Sequence, residues 1–269
     1  MGLPHLLAIS DPNDTRVAAY RNVRERDLTG RERLFVAEGE VVLRLLLKQR
    51  RYPVVSLLIA EKRLPGLAEL TDMLPSDVPV YVATQDVMDG IAGFHLHRGI
   101  LAIARRLPEP SADALLAALG RRALVVALYG IGNHDNMGGI FRNAAAFGAD
   151  AIVLASDCCD PLYRKAIRVS VGAALIVPFA RLKRDEDGLV LLERHRLTVL
   201  AFSPGGKIAL ADVAAPERTV VLLGAEGPGL PADILARATT VRIPMAAGFD
   251  SLNVATTAGI ALSHLRRGH

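Results

Sequence analysis

From Leu124 onward the chain carries six short runs of aliphatic residues, with stretches of helical character between most of them. The runs are Leu124–Gly130, Ala151–Ser156, Leu175–Leu182, Thr198–Ser203, Thr219–Glu226 and Thr239–Met245. Strands that lack polar alternation are buried on both faces, and their alternation with helices predicts a parallel sheet covered on both sides. Trp is absent and aromatic residues make up only 4%, so Ala, Leu, Val and Ile must fill those layers. Ligands of such sheets bind beyond the carboxyl ends of the strands. Function is therefore to be sought in the residues that follow each run.

The front of the chain reads as a smaller α/β unit. Residues 10–50 look helical, with the leucines of Val41–Arg51 on one face and a basic end that suits the helix dipole. Val54–Ala60, Val80–Ala83 and Gly99–Arg106 read as short strands. Leu107–Arg122 carries two prolines and then small residues, a linker running into a short helix. The expected organisation is a substrate-binding domain over residues 1–106, a linker over 107–120 and a parallel-sheet domain over 121–269.

Composition narrows the class. At 269 residues, with 51% hydrophobic and 22% charged residues, the chain has room for two globular domains. No apolar run reaches the about 18 residues of a membrane helix, and the N-terminus lacks the pattern of a signal peptide. A soluble cytoplasmic protein is expected, with no membrane partner. Net charge is only +4, but the pI is 9.3 and arginine clusters. Arg16, Arg21, Arg24, Arg26, Arg31 and Arg33 crowd the first segment, and Arg105, Arg106, Arg121 and Arg122 flank the middle. Such clusters neutralise phosphates, which suits a nucleic-acid partner. They equally suit a solvated helix face, because Glu25, Asp27 and Glu32 are interleaved. The adjacent Cys158 and Cys159 match no disulfide, zinc or redox spacing and are expected as reduced thiols without a structural role. His95 and His97 would share a face of a strand, but no third ligand is close in sequence, so no metal is expected.

Three loops stand out at predicted strand ends: Asn133–Gly148 (NHDNMGGIFRNAAAFG), Leu222–Leu230 (LLGAEGPGL) and Ile243–Leu265 (IPMAAGFDSLNVATTAGIALSHL). A dinucleotide fingerprint fails, since Gly130 and Gly132 are followed by Asp135 where the third glycine belongs, and a carboxylate there would repel a pyrophosphate. Gly205–Lys207 lacks the earlier glycine of a phosphate loop and is followed by Ile208. No GxSxG or HExxH pattern occurs.

Taken together, the three loops resemble the SpoU/TrmH family of RNA ribose 2′-O-methyltransferases, of the SPOUT class. Asn136–Arg142 (NMGGIFR) is similar to its first motif, and Leu222–Leu230 to its second, with Gly224, Glu226, Gly229 and Leu230 in place. Ile243–Ala258 is similar to its third, with Ile243, Pro244, Met245, Ser251, Leu252, Asn253 and Val254 in place. Phe35–Leu47 and His97–Arg105 resemble, more loosely, a small domain akin to RNA-binding ribosomal proteins. Thr257 departs from the family's frequent Ala and is expected to face the helix interior. His134 and Asp135 stand where an Asp-Pro pair is frequent, and their roles are unassigned.

The resemblance implies an α/β fold with a C-terminal trefoil knot, S-adenosylmethionine as cofactor, no metal, and a homodimer with the last helix at its interface. It implies cofactor binding by Leu223, Gly224, Gly229, Ile243, Met245, Ser251 and Leu252, with main-chain groups of Ile243 and Leu252 taking the adenine and methionine moieties. Arg142 takes the catalytic role. A guanidinium stays protonated in proteins, so it is expected to hold a phosphate and stabilise the developing alkoxide rather than act as base. Asn136 and Asn253 would orient the ribose or Arg142, and Glu226 would hold loop or Asn backbone, or receive the proton. The implied substrate is RNA and not DNA, ribosomal RNA ahead of transfer RNA. A non-catalytic RNA-binding assembly factor with the same fold is the alternative.

Overall fold

The computed structural model describes residues 5–21 and 33–266. Arg24, Glu25, Arg26, Asp27, Arg31 and Glu32 lie outside the described residues. The chain divides into two compact units, residues 1–107 with 162–176, and residues 108–161 with 177–269.

The first unit holds a five-stranded sheet in the order β1-β4-β3-β5-β2. Its strands are β1 (His5–Ile9), β2 (Leu34–Glu38), β3 (Val54–Ala60), β4 (Pro79–Ala83) and β5 (Ile100–Arg105). β1, β4 and β3 run parallel, while β5 lies antiparallel to both β3 and β2. The helical expectation for residues 10–50 is corrected here. Among the described residues of that range, only α1 (Glu40–Gln49) is a helix of any length, burying Val42, Leu43, Leu46 and Leu47 on one face. Thr15–Tyr20 is a single 3-10 segment, and Phe35, Val36 and Ala37 are core residues of a strand. Gly39, with φ 93°, makes the turn between β2 and α1 in backbone space that side chains disfavour. Two short helices follow, α2 (Ala68–Thr71) and α3 (Gln85–Ala92), the latter capped by the Thr84 hydroxyl, which accepts from the Val87 N–H.

The second unit begins with α4 (Ala112–Ala117), capped by Ser111 and packed through Ala112 and Leu116 into that unit's core. Part of the expected linker is thus folded. A seven-stranded, wholly parallel sheet follows in the order β10-β12-β9-β11-β6-β7-β8. β6 (Ala123–Leu128) leads into α5 (His134–Ala146) and β7 (Ala151–Leu154). Every residue of β6 and β7 is buried, as strands covered on both faces require. The chain then contributes residues 162–176, including α6 (Arg164–Val169), to the first unit. The expected boundary at residue 106 contains no such excursion. Within the first unit Arg164 forms a buried ion pair with Glu38 at 2.5 Å and lies over the Phe94 ring.

The second unit resumes with β8 (Phe179–Arg181), shorter than the expected Leu175–Leu182. Pro178 has no N–H for the ladder and restricts the residue before it, so pairing starts at Phe179. Then come α7 (Gly188–Arg194), β9 (Thr198–Phe202), the two-residue β10 (Ile208–Ala209), β11 (Arg218–Leu223), α8 (Ala232–Arg237), β12 (Thr239–Arg242) and α9 (Val254–Leu265). α5 and α9 approach closely: a Cβ on Gly139 would lie 2.7 Å from that of Ala255, and Asn143 Nδ2 donates to the Ala255 carbonyl at 2.7 Å. Val254, Ala258, Ala261, Leu262 and Leu265 of α9 are buried within the chain itself. No helix among the described residues is long and apolar enough to cross a membrane.

Candidate active site

The carboxyl ends of β9, β11 and β12 and the start of α9 enclose a cleft of about 420 Å³, within the usual range for small-molecule sites. Its shape follows from glycine. A Cβ on Gly224, the residue after β11, would lie 2.3 Å from the Gly229 carbonyl carbon and 2.4 Å from the Leu230 nitrogen. Backbone presses on backbone there, and no side chain fits. Gly227 and Gly229 have φ of 87° and 72°, and the Gly229 N–H closes the loop on the Ala225 carbonyl at 3.0 Å. Leu223, Gly224, Gly229, Ile243, Met245, Ser251 and Leu252 all line this cleft.

Sequence reasoning missed a fourth wall. Phe202, Ser203 and Pro204, at the end of β9, also line the cleft. The signal was the Pro204-Gly205-Gly206 turn closing a predicted strand, weighed only as a phosphate loop. Gly206 sits against β12, where its Cβ would lie 2.3 Å from the Val241 carbonyl carbon. Thr257 corrects an expectation: it lines the cleft instead of facing the helix interior, and its hydroxyl donates to the Asn253 carbonyl at 3.2 Å.

Asn253 joins the three loops. Its Oδ1 accepts from the Ala255 and Thr256 N–H groups and caps α9. Its Nδ2 donates to Asn136 Oδ1 at 2.9 Å and to Glu226 Oε1 at 2.7 Å. An amide has two N–H donors, and both are used. Glu226 therefore holds the Asn253 side chain rather than a backbone group. It is also the one titratable side chain among the residues lining the cleft.

Asn136 is buried in the first turn of α5, whose cap is Asn133 accepting from the Asp135 N–H. That places Asp135 in the first turn of the helix, where the dipole favours a carboxylate. Arg142 lies farther along α5, exposed and outside the cleft lining. Neither Asn136 nor Asn253 bonds to it, and among the described residues it forms no ion pair. The expectation that these asparagines orient Arg142 is corrected accordingly.

Elsewhere the candidates are structural. The buried Cys158 thiol donates to the Leu128 carbonyl at 3.2 Å, so it does have a structural role. Burial raises its pKa, and pushes that of Cys159 up to about 12; neither is a thiolate at neutral pH. His95 and His97 sit in a loop, not on a strand, with rings 4.5 Å apart, and His95 pairs with Asp89 at 2.6 Å. Among the described residues no three His, Cys, Asp or Glu side chains gather as a metal site. Arg16 is paired to Asp14 at 2.6 Å, and Arg21 donates to the carbonyls of Pro12 and Asp14.

A glycine-floored cleft with apolar walls fits an adenosyl cofactor, and the comparisons with known proteins agree. Residues 123–263 match the SpoU rRNA Methylase family. The chain belongs to that family. An uncharacterized tRNA/rRNA methyltransferase of Mycobacterium bovis is 44% identical over 273 residues, covering 97% of this chain and 92% of that protein. The AdoMet-bound rRNA methyltransferase of Sinorhizobium meliloti superposes with a TM-score of 0.82 at 24% identity, covering 97% of this chain and 98% of that one. A structure concerned with 2-OH methylation of C/U34 on tRNA is 31% identical with a TM-score of 0.51, covering 55% of this chain and 97% of that one. This SpoU chain is an RNA methyltransferase, and S-adenosylmethionine is the methyl donor of its family.

Proposed function

We propose that this chain methylates a ribose 2′-hydroxyl of RNA. The observation that carries the reading is the Asn253 side chain, which ties Asn136 and Glu226 together at the rim of the glycine-floored cleft. Three loops far apart in sequence are thereby held in one arrangement, the preorganisation that a transfer reaction uses. S-adenosylmethionine, when bound, supplies a methyl group on a positively charged sulfur. Gly224 and Gly229 leave the floor open to backbone contact. Main-chain groups of Ile243 and Leu252, with Leu223, Met245 and Ser251 beside them, take the cofactor.

Arg142 is assigned to the phosphate beside the target ribose and to the developing alkoxide. Its guanidinium is exposed and engaged by no carboxylate among the described residues, so it is available to grip a phosphate through its planar fork. Glu226 accepts from Asn253 through Oε1, which leaves Oε2 as a place for the hydroxyl proton. The 2′-hydroxyl restricts the substrate to RNA.

Ribosomal RNA leads transfer RNA on the two-unit organisation: likeness to the Sinorhizobium rRNA methyltransferase extends over 97% of this chain, and to the tRNA-related structure over 55%. The first unit would dock RNA, and the enzyme would work in the cytoplasm, where such substrates are made. A threaded, knotted C-terminal segment, as the family resemblance implies, is part of the proposal. A homodimer completes the proposal. Its interface draws on the exposed Ile260 of α9 rather than on that helix's buried face. Calorimetric titration tests the central step: the folded chain should bind S-adenosylmethionine with chelator present. Failure of the folded protein to bind, or binding that needs a metal, removes the reading.

A further inference from the structure

At the amino edge of the second unit's sheet, opposite the cofactor cleft, a shallow concavity is lined, among the described residues, by Arg121, Arg194, His195, Arg196 and Arg218. We propose that this concavity binds backbone phosphates of the RNA substrate, a second contact surface away from the reacting nucleotide. The inference rests on the RNA methyltransferase reading above.

Charge is the first argument. Of five arginines here, counting Arg122, three share two carboxylates with His195: Glu217 lies 3.1 Å from Arg121 and 3.7 Å from Arg122, and Asp113 lies 2.6 Å from Arg194 and 2.8 Å from His195. Arg196 has no carboxylate partner among the described residues. Arg218 is held in place by carbonyls, donating to His195 O at 3.2 Å and to Gly120 O, so its position is fixed while its charge stays uncompensated. Fixed guanidinium forks are suited to phosphate.

The helix end adds to this, although Arg50 ends α1 in the same left-handed conformation. α7 ends in a left-handed turn in which the Leu197 N–H returns to the Leu192 carbonyl and the Arg196 N–H to that of Glu193. The left-handed residue of that turn is the position glycine normally fills. Here it is Arg196, with φ 57°. A favourable helix-dipole interaction accounts for Arg194 and His195 at the helix end. It does not account for Arg121 and Arg218 on other elements.

Distance sets the kind of ligand. β11 runs from Arg218 at the concavity to Leu223 at the cleft, about 17 Å at the usual rise of a parallel strand. Phosphates of a stacked strand repeat about every 3.4 Å, so a stacked trinucleotide in the cleft stops short of these arginines. A long or folded RNA reaches both.

The variants Arg196→Gly and Arg121→Gln, singly and together, test this in the full-length protein with a trinucleotide and with long ribosomal RNA. Expected are unchanged cofactor affinity, unchanged turnover of the trinucleotide, weaker binding of long RNA, and a salt-dependence slope smaller by about 0.7–0.9 for each arginine removed. Arg196→Gly should raise the melting temperature while weakening RNA binding, which a merely structural arginine would not do. Wild-type protein that binds long RNA with a slope unaltered in the double variant overturns the proposal. So does protection of the concavity by inorganic phosphate alone, with RNA affinity unchanged in the variants. Wild-type protein that binds no RNA at all instead defeats the parent reading.

Discussion

The loops that follow the parallel strands of the first unit are filled by side chains bonded to one another. Asp14 holds Arg16, Asp89 accepts from Gln85, pairs with His95 and accepts from the Leu96 N–H, and Arg63 reaches Glu40. The loops that follow β9, β11 and β12 of the second unit instead place Gly206, Gly224, Gly227 and Gly229 where side chains would otherwise stand. Both sheets obey the rule that function gathers at carboxyl ends. The edge stripped of side chains holds the cleft of small-molecule size. The other edge is packed with polar groups that pair with one another, save Gln85 Oε1, which is buried without a partner among the described residues.

The largest expected effect lies in the first unit. Glu38→Ala leaves the buried Arg164 charge without its carboxylate and should destabilise by about 3–5 kcal/mol. Cofactor affinity at temperatures where the variant stays folded should not change; a matching loss of affinity would show that the two edges are not independent. Gly224→Ala attacks the cleft directly, forcing a Cβ within 2.3 Å of backbone. It should lower stability by about 3 kcal/mol, the upper end of overpacking costs, and abolish cofactor binding in calorimetry. A variant that binds normally would mean that glycine does not shape this edge.

Arg142→Ala should leave cofactor affinity within a few fold and reduce methyl transfer about a hundredfold or more, the loss expected for a preorganised charge. Arg142→Lys should recover little, because an ammonium lacks the planar fork. Near-normal turnover of either variant takes Arg142 out of the mechanism. Asn253→Asp places a carboxylate against Glu226 and Asn136 Oδ1, where the two donors now sit. It should destabilise by about 2 kcal/mol, with partial recovery at acid pH as one carboxylate of the facing pair protonates. Denaturation at two pH values reads this out, and equal destabilisation at both would show that the pair does not interact.

The smallest effect is acid sensitivity shared by both units. The hydrogen bonds from Arg16 hold the Asp14 pKa down at about 2, while the His195 hydrogen bond lowers Asp113 and the Arg237 hydrogen bond lowers Asp187. Their folded pKa values lie below the ordinary carboxylate value, so the stability they add is present above about pH 4 and lost as pH falls toward 2. Asp14→Asn should flatten that slope in urea titrations between pH 4 and 2; an unaltered slope would assign acid sensitivity elsewhere.

What was legible in the sequence is what the backbone alone determines. Runs such as Ala123–Leu128 and Arg218–Leu223 are buried on both faces, so their composition announces parallel strands. Glycines and small residues at their ends mark where the chain must bend, and those residues converge on one cleft. β2 was hidden because Phe35–Glu38 passes into the apolar helix α1 with only Gly39 between them. The attachment of residues 162–176 to the first unit rests on contacts such as Arg164 to Glu38, which no local pattern encodes. The bonds from Asn253 to Glu226 and Asn136 span 27 and 117 residues, and the arginines around Arg218 come from separate elements. Such pairings exist only once the sheet has formed.

The most direct measurement is incubation of the full-length protein with total RNA and S-adenosylmethionine carrying a labelled methyl group, followed by mapping of the product. The label should appear on a ribose 2′-oxygen, in ribosomal RNA, at a site where alkali no longer cleaves the neighbouring phosphodiester. Label on a base, or none in RNA from protein that binds the cofactor, would contradict the account.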